Sequence, residues 1–180
     1  MNLDSGDIHS EKSNCFPEMF AAQREWLKEV METEACRTAT FRVMIVHAPT
    51  HGQSDGEASL HERMRNYLGD LLNNPDPEKH FQLCLGGHEH RYFRFNAHGT
   101  ENLGEEPLEG SVLTNGKDFN YTVMINGGPL GGNWEFTAMD VESTPGKLSV
   151  KLFNGLNGET IDHIEVAPDG TVTELGMHKK

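Results

Sequence analysis

Three histidines, His47, His88 and His90, stand where side chains from distant positions could meet. Each closes a short apolar run. Phe41-Arg42-Val43-Met44-Ile45-Val46 leads into His47, and Phe81-Gln82-Leu83-Cys84-Leu85 leads into Gly86-Gly87-His88-Glu89-His90. Neutral imidazole is a good ligand for zinc, iron and related ions, so histidines gathered at one place point to metal binding. Two histidines one residue apart reach a common cluster from a tight turn, and glycines ahead of them give the backbone freedom to make it. A Gly-His-x-His string alone arises often by chance, and a single histidine after a strand is more often a hydrogen-bonded loop residue. The weight therefore rests on the joint pattern. His9, His61, His80, His98, His163 and His178 sit singly in polar or helical surroundings and read as solvated surface residues.

The elements that must position these histidines are legible around them. Both apolar runs read as buried strands. Between them a Gly-, Ser- and Asp-containing loop leads to a helix from about 57 to 72, with Leu60, Met64, Tyr67, Leu68 and Leu71 at helical spacing, stopped at Pro75 and Pro77. Strand, helix, strand is the grammar of a parallel or mixed sheet, and ligands bind at the carboxyl edge of such a sheet. An earlier helix starts near Pro17, carrying Met19, Phe20, Trp26, Leu27, Val30 and Met31 at three- and four-residue intervals, after a polar, irregular stretch over 2–14. Residues 97–118, rich in Gly, Glu, Asn and Pro, read as one long irregular loop and the candidate seat of specificity. Strands follow over 121–125, 134–141, 148–153, 160–166 and 171–175. Turn chemistry at Pro145-Gly146, Asn157-Gly158 and Asp169-Gly170 implies antiparallel hairpins.

Composition narrows the partners. The net charge of −13 leaves no excess of Lys and Arg to displace counterions, so binding to a nucleic-acid backbone is not expected. No apolar run is long enough to span a bilayer. The three cysteines, Cys15, Cys36 and Cys84, form neither a disulfide framework nor a zinc knuckle, and Cys84 within its apolar run reads as a buried inert thiol.

The joint pattern resembles the last two metal motifs of the calcineurin-like metallophosphoesterases, and more closely those of the purple-acid-phosphatase-like branch. Leu3-Asp4-Ser5-Gly6 resembles the strand and turn before a Gln-x-x-Trp-Leu helix, matched by Gln23, Trp26 and Leu27. Val46-His47-Ala48-Pro49 matches the next motif, and Asn126-Gly127-Gly128 the strand after Gly-His-x-His. The resemblance implies a mixed α/β fold, a β-sandwich flanked by helices in α/β/β/α layers. It also implies two metal ions (Fe, Mn or Zn) that activate a water against a phosphate ester, either a small molecule or a nucleotide. Carried over by residue, His47 and His88 bind one ion and His90 the other, Glu89 fills the variable position, and His51 is either a surface residue or a group near the leaving group.

The motifs that open the family pattern, Asp-x-His, Gly-Asp and Gly-Asn-His, are not matched in order. Asp7-Ile8-His9 has no strand before it, and Gly69-Asp70 falls inside the second helix, after His47. Residues 1–180 are therefore expected to be the C-terminal portion of one domain, with a βαβ part over about 15–95 and a β-rich part over about 119–176. Such a piece is expected to lack an N-terminal half, to expose an apolar sheet edge, and to be inactive alone. The alternative is a truncated or degenerate relative that binds a single metal or acts as a non-catalytic module.

Overall fold

Helix α1 (Phe16–Met31) carries Pro17 in its first turn, where a missing N–H removes no helical hydrogen bond. Its inward stripe is Phe20, Leu27 and Met31, all buried, whereas Trp26 is turned outward and 42% exposed. A four-residue helix α2 (Glu34–Arg37) is capped by Thr33, whose hydroxyl accepts from the Cys36 amide at 3.3 Å. Helix α3 (Leu60–Leu72) lays Met64, Leu68 and Leu72 on the same core. The computed structural model describes residues 2–3, 16–54, 60–127 and 137–177.

Strands β1 (Asn2–Leu3), β2 (Val43–Val46), β4 (Leu83–Gly86) and β8 (Thr122–Ile125) lie parallel and adjacent. The β2–α3–β4 unit is thus the strand–helix–strand crossover expected from the sequence. Within this sheet, two strands were not expected: β5 (Phe93–Phe95) pairs antiparallel with β8, and β6 (Asn102–Gly104) pairs with β5. The six-stranded sheet runs β1-β2-β4-β8-β5-β6. The 97–118 stretch is therefore not a single loop. It holds β6 and also β7 (Val112–Leu113), which pairs with β3 (Gln53–Ser54). Residues 2–3 likewise form backbone ladder pairs with β2 rather than irregular chain; residues 4–15 lie outside the described residues.

A second sheet of four antiparallel strands, β9 (Thr137–Thr144), β10 (Lys147–Asn154), β11 (Thr160–Val166) and β12 (Val172–Met177), forms the expected meander. Side-chain alternation along the parallel strands separates two cores. Cys84, Val123 and Ile125 face α1 and α3. Leu83 and Met124 face Leu148, Val150, Leu152, Ile164 and Val166 of the second sheet. The layers are helices, mixed sheet, antiparallel sheet: the mixed α/β sandwich read from the sequence, with no helix among the described residues on the outer face of the antiparallel sheet. Between the sheets, buried Arg94 donates from Nε to Asp162 Oδ2 at 2.7 Å, and the Tyr92 hydroxyl donates to the same oxygen. Cys84 is buried, and burial pushes its thiol up to about 12. None of the described helices is long and apolar enough to cross a membrane.

Candidate functional site

His47 follows the last residue of β2, and Gly87-His88 follow the last residue of β4, its parallel neighbour. The ladder continues past the strand ends through the Gly87 amide, which donates to the His47 carbonyl at 2.9 Å. On the other side of β4, the Asn126 amide donates to the Gly86 carbonyl at 2.8 Å. These bonds bring the two rings together. His88 Nδ1 lies 3.3 Å from His47 Nε2, with ring centroids 5.2 Å apart and the planes nearly perpendicular.

The turn is not made by its glycines. His88 has φ +77° and His90 φ +53°, so the two histidines themselves take the left-handed conformation, while neither Gly86 nor Gly87 has a positive φ. Left-handed backbone costs a side-chain-bearing residue roughly 1–2 kcal/mol, so the surroundings must hold it there. Gly86 has another purpose: a Cβ on it would stand 2.7 Å from the Pro49 ring.

What holds the turn is Glu89. Its carboxylate, only 6% exposed, accepts from the Gln53 amide at 3.0 Å and from Gln53 Nε2 at 2.7 Å, and contacts His61 Nε2. Burial alone would raise the Glu89 carboxyl. The His61 and Gln53 hydrogen bonds outweigh it and hold the group below the usual carboxylate range. The His88 imidazole is held below the ordinary histidine value, first by burial and then by the neighbouring His61.

Two histidines expected at the surface are buried. His61 is 1% exposed, with Nδ1 donating to the Pro49 carbonyl at 2.6 Å. His51 is fully buried among Phe95, Phe119 and Tyr121, with Nδ1 bonded to Thr50 Oγ1 at 2.8 Å and Nε2 without a hydrogen-bond partner among the described residues. Burial lowers its pKa to about 3, and the nearby Arg65 and His61 charges add to that. The reading of His61 as a solvated residue is thus corrected, and so is the surface alternative for His51. The signal for His61 was in the sequence, because 61, 64, 68 and 72 share one helical stripe. The partner that rewards its burial, Glu89, lies 28 residues away and left no local trace. His80 and His163 bond within the fold, His80 Nε2 to the Asn120 carbonyl at 2.6 Å and His163 Nε2 to Ser149 Oγ at 2.9 Å.

Two nitrogens bound to one zinc at 2.0–2.1 Å with tetrahedral angles lie about 3.3 Å apart. The His47–His88 pair has that spacing. His90 is half-buried, and among the described residues no group of three or more His, Cys, Asp or Glu side chains is close enough to hold an ion. Gly69-Asp70 lies in α3, where Asp70 is engaged by Arg24 of α1 through two 2.6 Å hydrogen bonds. Asp7-Ile8-His9 lies outside the described residues.

Among solved structures the chain is similar to that of PhoD, with a TM-score of 0.50 and 13% identity over 88% of this chain. The likeness is one of fold. At that identity the likeness carries the architecture and no residue roles. The chain spans about a third of the neighbour's length, covering 35% of it. No family model matches the chain, and no curated protein matches it. On this fold, the histidine pair occupies the carboxyl edge of the parallel strands, where open α/β sheets bind their ligands.

Proposed function

We propose that the chain contributes to a metal-dependent phosphoesterase centre of the calcineurin-like type, in its purple-acid-phosphatase-like branch. His47 and His88 would hold one ion through Nε2 and Nδ1, and His90 a second. The single observation behind this reading is the 3.3 Å separation of those two nitrogens at the ends of adjacent parallel strands. Fe, Mn or Zn suits imidazole donors. When bound, such ions clamp the oxygens of a phosphate ester and lower the pKa of a bound water. The substrate would be a small-molecule or nucleotide phosphate ester. The bridging carboxylate and remaining ligands would come from an N-terminal half that carries the opening motifs, so the chain by itself is expected to be inactive or nearly so.

A second reading has its own support. No carboxylate joins the histidine pair among the described residues, and two imidazoles without one suit a single ion or a non-catalytic binding module. Metal analysis and an aryl phosphate assay with added Mn²⁺ test both. Hydrolysis that appears only when a polypeptide carrying the opening motifs is supplied, and that His88→Ala abolishes, is the phosphoesterase result. One equivalent of metal with no hydrolysis even then is the module result, and two equivalents with hydrolysis by the chain alone would mean a centre more complete than proposed. Hydrolysis untouched by His88→Ala overturns the assignment of the site.

A further inference from the structure

We propose that His61 is the positioning residue of the histidine site, a clasp that ties the loop carrying His47 to the turn carrying His88 and His90. The role rests on the reading of those histidines as metal ligands, but the clasp itself is a matter of geometry. His61 Nδ1 donates to the carbonyl of Pro49, two residues past His47. Its Nε2 meets the carboxylate of Glu89, which sits between His88 and His90. One imidazole thus bridges the two segments whose separation sets the His47–His88 distance. Its ring lies edge-on to His88, with centroids 5.5 Å apart.

The proton count supports a permanent link. The Pro49 carbonyl can only accept, so the Nδ1 hydrogen is committed there. The contact with Glu89 then needs one further hydrogen, on Nε2 or on the carboxyl. In either arrangement the pair is neutral as a unit, which lessens the cost of burying it at 2% and 6% exposure.

The chain around the pair is shaped for it. A Cβ on Gly52 would lie 2.2 Å from His61 Nε2 and 2.3 Å from Glu89 Oε1, so the glycine leaves the space that the clasp fills. One turn along α3, Arg65 Nη1 donates to the Thr50 carbonyl at 2.5 Å and to Thr114 Oγ1 at 3.1 Å. His61 and Arg65 together hold two successive carbonyls of the His47 loop. Outer partners that orient metal-binding histidines are worth about 10- to 100-fold in metal affinity.

The test uses the metal-free chain, then Co²⁺ alone as probe. In His61→Ala, the Gly87 amide, which joins the two segments through the His47 carbonyl, should exchange with solvent at least about tenfold faster while the Cys84 and Val123 amides keep their protection. Co²⁺ affinity, read from its visible absorption, should fall about 10- to 100-fold. A folded His61→Ala chain whose Gly87 amide stays protected overturns the clasp. A released Gly87 amide with unchanged Co²⁺ affinity overturns the positioning role. If His61→Ala does not fold, Gly52→Ala, which crowds the same pair, is read by the same two measurements. Failure of the metal reading is separate: Co²⁺ affinity unchanged in His47→Ala overturns that reading, and Gly87 exchange still decides the clasp.

Discussion

His47 Nε2 and His88 Nδ1 face each other at 3.3 Å across the ends of two neighbouring parallel strands. Two bare nitrogens so placed gain by sharing an ion or a proton. If they share one ion, removing either should cost most of the affinity. His47→Ala, His88→Ala and the double variant are then expected to lose Zn²⁺ affinity by similar factors in calorimetric titration. Losses that multiply in the double variant would mean that the two histidines bind separate ions.

Asp70 spells part of a metal motif but belongs to the packing of two helices. Arg24 grips it from α1 with two hydrogen bonds of 2.6 Å, at an exposed site. Asp70→Asn is expected to leave metal affinity unchanged and to lower unfolding stability by less than about 1 kcal/mol. A changed metal stoichiometry in this variant would return Gly69-Asp70 to the site.

His51 makes stability depend on pH. Its folded pKa of about 3 lies far below the unfolded value, so between about pH 6.5 and pH 3 the unfolded chain holds more protons. Stability is therefore full above pH 6.5 and falls as pH drops, by up to about 1.4 kcal/mol per pH unit for this one proton. His51→Gln, which does not titrate, should flatten the slope of urea unfolding free energy against pH between 6 and 4. An unchanged slope would show that His51 is not buried as described.

The Arg94–Asp162 pair joins the two sheets, with both side chains fully buried and Asp162 Oδ1 left without a partner. Asp162→Ala leaves Arg94, among the described residues, with Glu174 and Asn96, and is expected to cost about 3–5 kcal/mol in denaturant unfolding. Replacing both residues with leucine should recover much of that loss, because the buried charge leaves with its partner. A double variant as unstable as Asp162→Ala would argue against this account.

The sequence by itself determined the elements with a strong local period and clear punctuation. These are the helix begun at Pro17, the strand–helix–strand unit around His47 and His88, and the hairpins turned at Pro145-Gly146, Asn157-Gly158 and Asp169-Gly170. Side-chain periodicity and turn chemistry act over a few residues, so a linear reading recovers them. Strands β3, β5, β6 and β7 escaped because two- and three-residue strands carry no period, and their ladders depend on partners elsewhere in the chain. The site divided in the same way. Which histidines end at the sheet edge was legible, since strand ends place them there. That His88 and His90 adopt left-handed backbone, and that Glu89 turns inward to a buried His61, was decided only by tertiary structure. A buried polar group is stable when its partner is in place, and here that partner comes from another element 28 residues distant.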